Sequence, residues 1–226
     1  MENQLDNPVY HALLTGDAAF ASGNADVKFF DEEVSPFASI RDGYDKGFDD
    51  LHDLLPAGRK ILYAIPKWIE EPKGWQTIVA IPGLQFVFDE KPNAFDHAMK
   101  PLPLGKGHVE EMVQLAALTK PGPFNSRTIE FGHYHGIFDN EKLVAMTGQR
   151  LHVSDYSEIS AVCTHPDHLG KGYAGVLLQH QLDLIATQRK IPFLHVRADN
   201  ERAIALYNRL GFKLRGPMNF YFMKRR

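Results

Sequence analysis

The sequence is poor in features that staple, anchor or repeat a chain. One cysteine, Cys163, stands among 226 residues, so no internal disulfide framework can form and a reducing compartment suits the protein. No apolar run approaches the roughly 18 residues expected of a membrane span. The opening MENQLDNPVY is too polar to read as a signal peptide. Low-complexity tracts are absent, and no internal repeat stands out. The net charge is only −3, and its basic part is too scattered to recruit nucleic acid. A soluble, cytoplasmic protein without a membrane or nucleic-acid partner is expected.

What is present is material for a core. Hydrophobic residues make up 44% of the chain, enough for one large domain or two small ones. Charge is unevenly spread: residues 1–92 carry 8 Lys+Arg against 16 Asp+Glu, whereas residues 93–226 carry 17 against 12. The segment DEKPNAFDHAMKPLPLGKG, Asp89 to Gly107, is rich in proline and turn formers and follows an apolar run. It suggests a boundary near residue 92, between an α/β N-terminal half (1–92) of unknown role and a C-terminal half (93–226).

In the first half YDKGFDDLHDLL has helical spacing, and RKILYAIP and QTIVAIPGLQFVF read as strands. In the second, HVEEMVQLAAL reads as a helix ended by PGPF. Strand candidates TIEFGHYHGIFD, KLVAMTGQRLHV and YSEISAVCT follow, with a hairpin turn at Asp139 and Asn140. After a glycine turn and its helix come a strand PFLHVRA, a helix NERAIALYNRL capped by Gly211, and two closing strands in FKLRGPMNFYFMKRR.

The glycine turn lies in HPDHLGKGYAGVLLQHQLDLI, where Gly170 and Gly172 precede a stripe of Ala174, Leu177, Leu178, Leu182 and Ile185. Glycines at a helix start let a ligand approach the backbone, and unpaired first-turn N–H groups favour an anion such as phosphate. A plain strand-to-helix turn is the structural alternative. A P-loop does not fit, because Gly172 follows Lys171 where Ser or Thr is needed and His165 stands where its first glycine belongs. The pairs His133/His135 and His165/His168 lack a third ligand, so no metal is expected. Cys163, in an apolar strand with no activating partner fixed beside it, reads as packing rather than a nucleophile.

ISAVCTHPDHLGKGYAGVLL and FLHVRADNERAIALYNRLGF together resemble the GNAT superfamily of N-acetyltransferases, in particular its FR47-like, glycine N-acyltransferase-like branch; LTKPGPFNSRTIEFGHYHGI adds weaker support. The family pattern Arg/Gln-x-x-Gly-x-Gly/Ala falls on Leu169, Gly172 and Ala174, with Leu169 departing from it. The pattern Asn-x-x-Ala-x-x-Leu-Tyr-x-x-x-Gly-Phe is met by Asn200, Ala203, Leu206, Tyr207, Gly211 and Phe212.

The resemblance implies an α/β (α+β) fold with a mixed, mostly antiparallel central sheet flanked by helices, its strands splayed at the cofactor site. It implies acetyl-CoA as co-substrate and direct transfer to a primary amine. The pyrophosphate would sit on Leu169, Gly170, Lys171, Gly172, Tyr173 and Ala174. The pantetheine arm would be held by the backbone of Val162, Cys163 and Thr164 and by Asn200. Tyr207 would protonate the leaving thiolate, although its helical stripe equally suits a core tyrosine. Glu158, eleven residues before Leu169, and His195 are the candidate general bases, with a water chain as the alternative. The acceptor would be a small amine or amino acid, with a peptide N-terminus or lysine next. A non-catalytic acyl-CoA sensor is the rival reading, and a homodimer is left open.

Overall fold

The longest apolar stripe folds as its spacing predicts, into helix α4 (Tyr173–Thr187), and it buries on two sides. Val176 and Leu177 meet Ile137 and Val144, while Leu178, Leu182 and Ile185 pack with Phe86 and Leu194. Each fully buried aliphatic side chain contributes about 1.5–3 kcal/mol of hydrophobic stabilisation. The structure, a computed structural model, describes residues 3–90 and 99–226; the boundary expected near residue 92 lies outside the described residues.

Ahead of it come α1 (Pro8–Leu14), the small antiparallel sheet β1 (Ser22–Gly23), β2 (Val27–Phe29) and β3 (Ala38–Ile40), and α2 (Gly47–Leu54). Strands β4 (Lys60–Ile65) and β5 (Trp75–Val87) follow. Next are β6 (Leu102–Pro103), α3 (Val109–Thr119), β7 (His135–Asp139), β8 (Lys142–Val153) and β9 (Tyr156–Thr164). After α4 the chain forms β10 (Ile191–Arg197), α5 (Glu201–Leu210) and β11 (Lys213–Arg225).

Among the described residues, eight strands build one sheet in the order β4-β11-β5-β10-β9-β8-β7-β6. Neighbours run antiparallel except β10 and β9, which are parallel. The sheet is thus mixed and mostly antiparallel, as expected. Strands from both sides of residue 92 share it, and one core cluster joins Leu5, Phe37 and Leu62 to Phe193 and Met218.

Three local expectations change. FKLRGPMNFYFMKRR forms one strand, β11, because a bulge between Leu214 and Gly216 absorbs the irregularity that reads as a break. TIEFGHYHGIFD is strand only from His135, since Gly132 (φ 90°) and His133 (φ 57°) take left-handed backbone and Thr128–Phe131 coils into a 3-10 turn. His133 and His135 therefore do not share a strand. The hairpin turn centres on Asn140 and Glu141, both with positive φ, and Asp139 pairs with Lys142.

Candidate active site

β9 and β10 pair over three residues only, ending at Phe193 opposite Glu158. Beyond that point β9 continues to Thr164 and β10 to Arg197 without bonding each other. The strands part there. A cavity of about 1150 Å³ fills the opening, lined from one face of the sheet by Leu206 and Tyr207 and from the other by Leu62, Phe220 and Phe222.

β9 is irregular where it borders this cavity. Its register against β8 slips between Ser160 and Cys163, leaving Ala161 and Val162 without partners, and Ala161 sits at φ 54°. A bulge of this kind takes backbone groups out of the ladder and can aim them at a ligand. Val162, Cys163 and Thr164 all line the cavity. Burial pushes the Cys163 thiol up to about 11, against the pull of its Thr119 and Met146 contacts. Its sulfur is a poor nucleophile at neutral pH.

Gly170 (φ 82°) and Gly172 (φ 81°) turn the chain into α4, and a Cβ on either would meet nothing within 4 Å. Helical bonding begins with the N–H groups of Gly175 and Val176, both donating to the Gly172 carbonyl. Among the described residues, the N–H groups of 170–174 find no acceptor. They form an open anion cradle at a helix start. Leu169 and Ala174 line the cavity itself. Tyr173 packs instead with Ile137 and Val144, and Lys171 leans towards His168 (3.1 Å) and Asp139 (3.8 Å).

Asn200 caps α5 by accepting the Ala203 N–H at 3.1 Å, and it also lines the cavity. Two turns on, Tyr207 is buried beside Phe86 and Phe212. Its hydroxyl, however, has no hydrogen-bond partner among the described residues, and burial alone pushes its pKa up to about 12. It lines the cavity as a protonated donor without a partner.

The two candidate bases are joined. Glu158, 1% exposed, accepts two bonds from Arg150, from Nε at 2.8 Å and from Nη2 at 2.7 Å. It accepts a third from His195 Nδ1 at 2.7 Å. Burial raises the carboxyl's pKa, but the Arg150 charge, its bonds and His195 outweigh this and hold it at about 2. Gln85 Nε2 lies 2.8 Å from His195 Nε2, while Gln85 Oε1 accepts from Arg215. That fixes the amide, so Nδ1 of His195 carries the proton and Nε2 is the acceptor.

The family model for FR47-like proteins matches residues 134–222. A GNAT-family protein of Novosphingobium aromaticivorans DSM 12444 is 30% identical over 100% of both chains, with a TM-score of 0.93. The chain belongs to the GNAT family. A GCN5-related N-acetyltransferase from Kribbella flavida shares the fold at 13% identity, covering 96% of this chain and 95% of its own, with a TM-score of 0.66. No curated protein matches the sequence. GNAT acetyltransferases use acetyl-CoA.

In this GNAT acetyltransferase Arg150, Gln85 and Ala161 border the site without belonging to any sequence motif. Arg150 and Gln149 are adjacent polar residues inside the apolar strand KLVAMTGQRLHV, a signal that was there to be weighed. Gln85 offered the same hint in β5. Ala161 offered none, because a bulge depends on the partner strand. Among the described residues no group of three metal-ligating side chains gathers, and no helix is long and apolar enough to cross a membrane.

Proposed function

We propose that the protein transfers the acetyl group of acetyl-CoA directly to the primary amine of a small amine or amino acid. The observation that carries this reading is the placement of the free Tyr207 hydroxyl and the Glu158–His195 pair on one cavity, opened where β9 and β10 part. The unpaired N–H groups of residues 170–174 suit a pyrophosphate, and Asn200 and the Val162–Thr164 backbone suit the pantetheine arm. Acetyl-CoA supplies the activated thioester carbonyl.

The chain's own groups then divide the work. Backbone at the Ala161–Val162 bulge is placed to stabilise charge developing on the carbonyl oxygen. As the C–N bond forms and the C–S bond breaks, Tyr207 gives its proton to the departing thiolate. The amine proton goes to the hydrogen-bonded Glu158–His195 pair. Glu158 stays ionised beside Arg150, His195 Nε2 is the basic atom, and the Gln85 amide is the group that must move aside. Proton return from solvent restores Tyr207. The acid state of Cys163 supports transfer without an acyl-enzyme.

The test is release of free coenzyme A from acetyl-CoA over a panel of amines, for the native chain and for Tyr207→Phe. The variant keeps the ring packing, so acetyl-CoA affinity should hold while kcat falls by roughly 10²–10⁴. Binding without release, for every amine, would favour a sensor of acyl-CoA instead.

A further inference from the structure

Residues whose sequence named no chemistry supply one side of the cavity. Phe37, Leu62 of β4 and Ile81 of β5 line it beside Phe220 and Phe222 of β11, which pair in register with Ile81 and Leu62. Phe37 and Leu62 are bridged. The loop ahead of Phe37 is fastened to the segment after α3: Asn125 Nδ2 donates to the Glu32 carbonyl (2.8 Å) and Thr128 Oγ1 to that of Val34 (2.9 Å). The result is a fixed apolar wall, the kind of surface that takes a hydrocarbon group.

At its inner end the wall meets Arg150, whose guanidinium lies over the Phe37 ring, 4.8 Å from its centroid. Nε and Nη2 are used by Glu158, but Nη1 has no partner among the described residues. A nearly buried guanidinium with one free amino group is a strong carboxylate ligand. Lys60, also on the cavity, has a free Nζ in the same sense. Among the described residues the lining carries five Lys and Arg against two Glu, although the whole chain is net negative, so the field inside favours an anion. Because Arg150 grips Glu158, an anion on Nη1 lies next to the pair that receives the amine proton. An α-amino acid has this layout, with one carbon between carboxylate and amine.

The geometry points to an α-amino acid with an apolar side chain as the acceptor, its carboxylate on Arg150 Nη1 and its side chain against Phe37, Leu62, Phe220 and Phe222. This inference rests on the acetyl-transfer reading above. Glycine leaves the wall unused, and a peptide N-terminus lacks a carboxylate at this spacing.

The experiment compares leucine, leucinamide, glycine and a short leucine-initiated peptide in the coenzyme-release assay, with kcat/KM expressed on the free-amine fraction. Leucine should exceed leucinamide about 10- to 100-fold, the worth of a hydrogen bond between charged groups. It should exceed glycine by a similar factor through side-chain burial. Phe222→Ala should narrow the leucine-to-glycine ratio about tenfold, and Phe222→Leu should restore most of it. Leucinamide or the peptide reacting as well as leucine, or a ratio indifferent to Phe222→Ala, overturns the inference and leaves acetyl transfer standing. No release with any amine, in protein that binds acetyl-CoA, overturns acetyl transfer and this inference with it.

Discussion

The Glu158–Arg150 ion pair should be visible in the acid stability of the whole protein. Glu158 has an ordinary value of 4.5 and is held at about 2 in the fold. At about 1.4 kcal/mol per tenfold change in proton affinity, that gap corresponds to about 3 kcal/mol. The folded value is depressed, so the stability is present in full above pH 4.5 and is lost as pH falls towards 2; about 2 kcal/mol of it is gone by pH 3. Other carboxylates titrate in the same window, so the comparison must be with a variant lacking only this pair. Glu158→Gln alone strands the Arg150 charge in the interior and should cost about 3–5 kcal/mol at neutral pH. The double variant Glu158→Gln/Arg150→Met removes both charges and should recover most of that loss. Urea unfolding of native chain and double variant from pH 6 to pH 3 gives the answer. Their stability difference should shift by about 2 kcal/mol in favour of the double variant. Parallel curves would mean that Glu158 is not held ionised by Arg150, and the mechanism would lose its fixed charge.

Kinetics probe the same residues from another side: Glu158→Gln and His195→Gln, in protein that still binds acetyl-CoA, should both show a deficit in kcat/KM that is large at pH 6.5 and narrows by pH 9, as the free-amine fraction grows. A deficit in only one of them would break the idea of a shared unit. Gly172→Glu should abolish the thermal stabilisation by acetyl-CoA, which at one hundred times Kd amounts to about 2.7 kcal/mol. Gly172→Ala, equally strained at φ 81° but uncharged, should keep it; loss in both variants would remove the anion seat. Gly148→Ala drives a Cβ into the Tyr134 ring and should destabilise by about 1–3 kcal/mol, measured by denaturant midpoint; an unchanged midpoint would show that the ring can retreat.

What could be read in the sequence was what local chemistry determines. Gly172 and Gly211 mark a helix start and a helix end because their left-handed φ is a property of those positions. Leu178, Leu182 and Ile185 declare a buried face by spacing alone. The site was legible only as separate residues. Glu158, Arg150, His195 and Gln85 come from four strands, and His195 and Gln85 lie 110 positions apart. Which of them touch is set by strand order and register, which depend on the packing of the whole sheet. The same is true of the Ala161 bulge, whose extra residue exists only relative to β8.

The place of β11 has a consequence for how the chain is made. This strand lies between β4 and β5 and pairs with both, to residues more than 120 positions earlier. Until it has been synthesised, β4 and β5 have no common partner, and the strand edges that will hold Ile61, Leu62 and Phe86 stand open. Such pairing is slow to close, because loop entropy is lost before the contacts form. Open apolar edges also invite other chains. The nascent protein therefore passes through a long interval in which aggregation competes with folding, and a ribosome that stalls before Lys213 would release a product with no way to complete its sheet.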